Sequence, residues 1–128
     1  MVDVFLYGEL GEMLGDRWAF KARSPAEVFD AIDANTDGRF LKYMWEKEKR
    51  GLKYYVFLDK DPISENQLLI NLESKEEMHV VPAVEGAGDM FKKGTFFHDL
   101  FRDEMFQIGA IAIGAGLALK GLGSLPWL

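Results

Sequence analysis

The stretch MHVVPAVEGAG, Met78 to Gly88, divides this chain into two parts of different character. Its first half is an apolar, β-branched run that predicts a buried strand over Met78–Val84, with a proline inside it. Its second half is made of small residues, with glycines at positions 86 and 88, and is not typical of a regular element. The sheet is therefore expected to end here and to lead into a second segment.

The distribution of charge supports the same boundary. Residues 1–88 carry 17 acidic and 11 basic side chains, whereas residues 89–128 carry four of each, so the whole net charge of −6 lies in the first part. An acidic chain is a poor nucleic-acid ligand, because such surfaces need a local excess of Lys and Arg. The absence of cysteine excludes disulfides, thiolate catalysis and Cys-ligated zinc.

The first part of the chain begins with two predicted strands. Val2–Tyr7 is β-branched and aromatic, which is typical of a strand and not of a targeting peptide, and Trp18–Ala22 alternates large and small side chains. Glycines at positions 8, 11 and 15 predict a loose connection between them. The two strands are expected to form a hairpin.

Two helices are expected next. Ser24 followed by Pro25 and Glu27 is a helix start, because the serine can cap free amides and proline needs no donor in the first turn. Residues 35–38, Asn-Thr-Asp-Gly, interrupt the helical pattern, and a second amphipathic stretch runs over Arg39–Arg50. The first helix is expected to bury Val28, Phe29 and Ile32, and the second Phe40, Met44 and Trp45.

Three further strands complete the predicted domain. Lys53–Leu58 is rich in strong β formers, residues 59–62 have the composition of a turn, and the apolar run Gln67–Leu72 is taken as a short strand before Met78–Val84. The order β, β, α, β, β, β within about 85 residues predicts an α+β roll with helix packed on a single sheet face.

The second part of the chain contains an uncharged run. Residues 96–106 are amphipathic, and the 15 residues from 105 to 119 carry no charge. As a helix this run would span roughly 22 Å, which is short of the ~30 Å hydrocarbon core of a bilayer. Ala110, Gly114 and Ala118 recur every fourth residue and would give a smooth face for close helix packing. Burial against other subunits is favoured over burial in the chain's own domain, because the predicted β-rich domain is complete without this run.

No pattern in the sequence indicates catalysis. His79 and His98 are isolated, without metal-ligand spacing, and His79 is interpreted as a satisfied polar group on a sheet face. Glu73, Glu76 and Glu77 are interpreted as a solvated turn, and EKEKR at 46–50 as a solvent-facing helix surface with weak ion pairs. The chain is therefore expected not to be an enzyme and to use no cofactor or metal.

Three blocks carry a resemblance to a known family. LYGEL at 6–10, HVVPAVEGAG at 79–88 and FQIGAIAIGAGLA at 106–118 occur in the same order and context as in the phage lambda tail assembly protein I family, which the chain resembles over most of its length. The resemblance implies a ubiquitin-like β-grasp domain over residues 1–85, a glycine-rich hinge over 86–95, and an apolar, mostly helical tail over 96–128.

The same resemblance implies a role and partners. The chain is expected to be a structural component of the distal tail tip of a long flexible-tailed phage, located in the virion and, during assembly, in the host cytoplasm. Expected partners are the central hub protein, the tape-measure protein and distal tail proteins, with host membrane contact during infection and no direct binding of nucleic acid. The expected assembly residues are Phe106, Ile108, Ala110, Ile111, Gly114, Gly116 and Ala118.

Two alternatives stay open. A membrane-active protein of the toxin or holin kind would use the apolar run directly, although that run is short and lacks flanking clusters of Lys or Arg. A ubiquitin-like carrier would need a terminal diglycine, whereas Gly86-Ala87-Gly88 is followed by forty residues. Liposome flotation would separate the first alternative from a tail component, and intact mass after expression with activating enzymes would reveal the second.

Overall fold

The computed structural model describes residues 1–83, 110–114 and 117, and the structural statements that follow concern these residues. They form a mixed α+β domain with a five-stranded sheet and three helices, which confirms the α+β part of the predicted fold. In chain order the elements are β1 (Val2–Leu6), α1 (Glu9–Leu14), β2 (Arg17–Phe20), α2 (Pro25–Ala34), α3 (Arg39–Glu48), β3 (Lys53–Leu58), β4 (Asp61–Ile63), a 3-10 turn (Glu65–Gln67) and β5 (Glu77–Ala83).

The five strands form one sheet in the order β2-β1-β5-β3-β4. The predicted hairpin of β1 and β2 is confirmed, because the two strands pair antiparallel with Val2 opposite Phe20. β5 lies in the middle, parallel to β1 and antiparallel to β3. A strand with neighbours on both sides is screened from water, which explains why five consecutive residues of β5, Met78–Pro82, are buried.

β5 continues through its proline, and the pairing explains how. Both backbone groups of Tyr54, opposite Pro82, bond to a residue on the far side of β3, so the Tyr54–Pro82 pair needs no hydrogen bond. On its other side Pro82 faces the point where β1 has ended: Gly8 has φ +69°, and a Cβ there would lie 3.0 Å from the Pro82 Cγ. The last of the β1–β5 hydrogen bonds runs from the Tyr7 amide to the Val80 carbonyl, so Pro82 stands just beyond the regular pairing, where a residue without an amide is tolerated.

The predicted start of α2 is confirmed. The Glu27 amide donates to the Ser24 hydroxyl at 3.2 Å, and Pro25 occupies the first turn. The Glu27 carboxylate does reach back, but it accepts from the Arg23 amide at 2.6 Å, one residue before the Ser24 amide that a capping box would use as donor. α2 ends at the predicted break, and α3 follows Gly38, whose φ of +77° suits glycine.

Three local predictions were wrong. The expected loose connection contains helix α1, with Leu10 and Leu14 buried one turn apart. The expected turn at 59–62 is only Asp59-Lys60, with Asp59 at φ +54°, because Asp61 and Pro62 already pair with β3. The expected strand over residues 67–72 is absent from this described stretch, which instead holds the end of the 3-10 turn and two buried leucines, Leu68 and Leu72.

The core lies between the helices and one face of the sheet. Alternate residues of the three central strands join the buried faces of α2 and α3 in one cluster. The predicted face of α2 is confirmed, since Val28, Phe29 and Ile32 are fully buried, and the Phe29 and Phe40 rings stack with centroids 5.6 Å apart. Phe40 and Met44 are buried as predicted, whereas Trp45 packs against the core with part of its surface exposed.

Candidate functional site

The edge of β3 is closed by two different partners. β4 pairs with Val56–Leu58 only, so the other half of the edge, Lys53–Tyr55, extends beyond it. That half is occupied by Ile111, from the predicted tail: the Tyr54 amide donates to the Ile111 carbonyl at 2.9 Å, and the Ile111 amide donates to the Tyr54 carbonyl at 2.7 Å. The two residues form an antiparallel bridge, which places the C-terminal segment against the sheet.

Side chains of the same segment enter the core. Ile111, Ile113 and Leu117 are 4%, 0% and 1% exposed and belong to the same cluster as the sheet and helices. Burying an aliphatic side chain of this size contributes about 1.5–3 kcal/mol. The sequence interpretation treated the domain as complete without this segment; the structure instead places three of its side chains in the domain's core.

A carboxylate of α3 holds the beginning of the segment's helical part. The backbone becomes helical at Ile113, and the Gly114 amide donates to Glu48 Oε1 at 2.6 Å. The first amides of a helix lack partners within the helix and carry partial positive charge, so a carboxylate there is favourable. A Cβ on Gly114 would lie 3.1 Å from Glu48 Oε2, and the glycine therefore permits this close approach.

Two tyrosines line the site beside Glu48. Tyr54 is fully buried and Tyr43 nearly so. Burial first, and then neighbouring Tyr43 and Glu48, raise the pKa of Tyr54, and burial likewise raises the pKa of Tyr43. Both phenols therefore stay neutral over the physiological range. The Lys47 ammonium lies 5.6 Å from the centre of the Tyr43 ring and 3.8 Å from the Glu9 carboxylate. These two charged groups therefore lie at the edge of the site, beside Tyr43.

The predicted assembly residues divide into described and undescribed ones. Ile111 and Gly114 contact β3 and α3 of their own chain, and Ala110 is half-buried beside them. Their assembly role therefore stays a prediction, but the surfaces expected to face other subunits are here engaged within the chain. Outside the described residues lie Phe106, Ile108, Gly116, Ala118 and the hinge glycines Gly86 and Gly88.

Glu48 is the functional side chain that the sequence interpretation missed. It was counted among the solvent-facing charges of residues 46–50, yet it is partly buried and binds a backbone amide far along the chain. One signal was available: Glu48 is the last residue of α3, where an acidic side chain opposes the helix dipole. The bond to the Gly114 amide offsets this unfavourable position.

The opposite face of the sheet holds a buried histidine. His79 Nδ1 lies 2.8 Å from the Tyr7 hydroxyl and Nε2 lies 3.1 Å from Glu77 Oε2, while Phe5 stacks on the ring with centroids 4.9 Å apart. Its interpretation as a satisfied polar group on a sheet face is confirmed. Burial lowers the pKa of His79, and burial together with Glu77 raises the pKa of Tyr7 to about 12.

Comparison with protein-family models, with curated proteins and with solved structures finds no match. Within the described residues no three metal-ligating side chains come together, and no helix there combines the length and the hydropathy that a bilayer crossing needs. The site that the described residues do present is a docking site for the chain's own apolar segment, which we call the acceptor: Tyr43, Glu48 and Lys53–Tyr55. Its chemistry is backbone pairing, apolar burial and one carboxylate-amide bond.

Proposed function

We propose that this chain is a structural, non-enzymatic component of the distal tail tip of a long flexible-tailed phage. The observation that carries the proposal is the set of three sequence blocks, at 6–10, 79–88 and 106–118, shared in order with the phage lambda tail assembly protein I family. Its partners are the central hub protein, the tape-measure protein and distal tail proteins. It acts in the virion after assembly in the host cytoplasm.

The proposed domain type is a ubiquitin-like β-grasp. The strand order β2-β1-β5-β3-β4 supports it, because the first and last strands lie parallel in the centre and each is flanked by an antiparallel neighbour. A helix packed on one face of that sheet, after the first hairpin, also supports it. α1 is an addition to the expected ββαβββ order.

The acceptor gives the structural role a physical basis. Two of the blocks meet there in three dimensions: Pro82 of the second block pairs with Tyr54 on one side, and Ile111 of the third block pairs with Tyr54 on the other. The first block contacts the same pair of strands through its middle residue, since Gly8 lies next to Pro82. The shared blocks are thus neighbours around β3, which supports a common packing role for them.

The membrane contact in this proposal requires release of the segment. Ile111, Ile113 and Leu117 cannot face a bilayer while they are buried against the core. We therefore place membrane contact at DNA ejection, when loss of tip partners exposes apolar surface that would otherwise aggregate. A photo-reactive lipid probe would label residues 105–128 only after receptor-triggered ejection.

The direct test is made in the source phage. A nonsense codon at Trp18 is expected to yield DNA-filled heads without functional tails, and complementation by the intact chain is expected to restore them. Peptides of this chain should then be found by mass spectrometry in purified tail tips. Fully infectious particles from the nonsense mutant would contradict the proposal. Reversion of the nonsense codon to the Trp18 codon, which should restore infectivity, is the matched control.

A further inference from the structure

The acceptor binds the segment through contacts that do not depend on chain connectivity. Tyr54 supplies one backbone donor and one acceptor, Glu48 supplies one carboxylate oxygen, and the core supplies the apolar surface for Ile111 and Ile113. The same segment in a second copy of this chain would make identical contacts. Because interactions are conserved on exchange, swapping an identical element between copies has a low cost.

The connection between domain and segment is long relative to the gap it crosses. Pro82 and Ile111 lie on opposite sides of Tyr54, so they are two strand spacings apart, about 10 Å. The 26 residues from 84 to 109 could span roughly 86 Å if fully extended. A connection of this length does not restrict the segment to the acceptor of its own chain.

An emptied acceptor also needs a replacement. Without the segment, the Lys53–Tyr55 half of β3 is an open strand edge, a template for pairing with another chain. Apolar surface on the core side of Tyr54 is uncovered at the same time. When the segment of one chain docks on a neighbour, the acceptor of the first chain becomes empty. That empty acceptor can then bind the neighbour's segment.

We propose that the acceptor is an interface between copies of this chain, in which Ile111 and Gly114 of one copy pair with Tyr54 and Glu48 of another. Reciprocal exchange closes a two-fold dimer, since each copy gives and receives the same segment. The partner is a second copy of this chain, identified by the Ile111–Tyr54 bridge and the Glu48 carboxylate. The inference goes beyond the tail-tip proposal, and its test needs no phage.

Cysteine cross-linking tests the exchange, and the chain has no cysteine of its own to interfere. Because Tyr54 and Ile111 form an antiparallel bridge, Lys53 stands opposite Ala112 as a pair without hydrogen bonds, with Cα atoms about 4.5 Å apart. That spacing permits a disulfide. Full-length Lys53→Cys and Ala112→Cys chains, with different tags, are co-expressed, purified and oxidised.

The expected result is a cross-linked dimer carrying both tags, with a 53–112 linked peptide at least about ten-fold above the level of a matched control pair. The control replaces Lys53→Cys by Lys21→Cys, an exposed position beyond β2, at the opposite edge of the sheet. The double variant Lys53→Cys with Ala112→Cys checks that the two positions meet. It should form the 53–112 link whether or not copies exchange.

Two outcomes would overturn the proposal. If the double variant closes within single chains while the mixed pair stays at the level of the Lys21 control, the segment docks only on its own chain. If neither the double variant nor the mixed pair forms the 53–112 link, the Ile111–Tyr54 pairing itself is wrong, and the proposed interface falls with it.

Discussion

The two halves of the β3 edge are closed in contrasting ways. Val56–Leu58 pairs with β4, which follows after a two-residue turn at Asp59-Lys60. Lys53–Tyr55 is closed by Ile111, which lies far along the chain. The first closure is local and depends on turn chemistry, whereas the second depends on a long-range contact whose strength comes from burial and from Glu48.

The two halves of one strand edge can therefore differ in what closes them. The Val56–Leu58 half is closed locally by β4, and we call it the autonomous half; the Lys53–Tyr55 half is closed only while the distant segment is docked, and we call it the conditional half. A short hairpin brings its partner at little loop-closure cost, so β4 is in place whenever β3 forms. The distant segment is in place only while Ile111, Ile113 and the Gly114–Glu48 bond outweigh the entropy of ordering it. Single substitutions in the segment should therefore have graded effects that leave the β3–β4 hairpin intact.

Removing the segment should have the largest effect. A chain ending at residue 85 loses three core side chains, a gross contribution of roughly 5–9 kcal/mol, comparable with the entire ~5–15 kcal/mol stability of a small domain. We expect the fragment to unfold at far lower urea concentration than the full chain or to lack a cooperative transition. The sequence interpretation treated residues 1–85 as a complete domain, and a fragment as stable as the full chain would support that interpretation and contradict this prediction.

A single large-to-small substitution, made either in the segment or in β4, should have the next largest effect on stability. Ile113→Ala and Ile63→Ala each remove a buried aliphatic group, and each is expected to lower the free energy of unfolding by about 2–4 kcal/mol. The two differ in a second readout. Ile113→Ala should also raise the susceptibility of the segment to limited proteolysis, whereas Ile63→Ala should not. Equal proteolysis of both variants would remove the distinction between the two halves.

Loss of the carboxylate should have an intermediate effect. Glu48→Ala removes a charge-assisted bond to the Gly114 amide and is expected to cost about 1–2 kcal/mol in chemical unfolding. Glu46→Ala, an exposed acid on the same helix, is the matched control and should change stability by less than about 0.5 kcal/mol. Gly114→Ala should cost less than Glu48→Ala, since its Cβ would lie 3.1 Å from Glu48 Oε2 and the flexible carboxylate can shift to make room. Indistinguishable Glu46 and Glu48 variants would assign the carboxylate no role.

A change of pH should have the smallest effect on the free energy of unfolding. We expect that effect to arise from His79, beside the autonomous half of β3, and not from the docked segment. His79 lies opposite Phe57 on β3, and burial lowers its pKa below the ordinary value of 6.5. The unfolded chain then takes up a proton at higher pH than the folded chain. Stability is therefore complete above pH 6.5 and falls as pH drops below it, by at most about 1.4 kcal/mol per pH unit.

A comparison of His79→Gln with the parent chain isolates that contribution. The carboxylates near His79, Glu77 and Asp59, are present in both chains. The variant should show a shallower loss of unfolding free energy between pH 7 and pH 5, measured by urea titration at each pH. If the unfolding free energy of both chains fell equally with pH, His79 would not be the group that makes stability depend on pH.

Much of the fold could be predicted from the sequence because its signals are local. β1, β3 and β5 are runs of β formers, and α2 has a serine cap followed by proline, so propensity and structure agree. α1 was missed because Gly11 suggested a loop. A Cβ there would lie 2.2 Å from the Leu6 carbonyl, so close backbone approach is the reason for that glycine. β4 was missed because Pro62 is typical of turns, yet it is tolerated on an edge strand.

The site was less predictable, because its defining contacts join distant parts of the chain. The apolar run and its glycines were recognised, but composition does not specify whether such a run packs on its own domain or on another subunit. The Gly114–Glu48 bond and the Ile111–Tyr54 bridge exist only after β3 and α3 are placed side by side. Neither residue pair has a sequence spacing that a motif search could recognise.

The Tyr54 amide can report whether the segment is docked, because of the direction in which it points. This N–H points away from β5 and bonds only across the edge, to the Ile111 carbonyl. When the segment leaves, that amide becomes open to solvent while β3 and its other pairings persist, so its hydrogen–deuterium exchange measures the fraction of time the segment spends undocked. One amide resonance in an NMR spectrum of the wild-type chain would thus follow the segment through binding, assembly or contact with lipid.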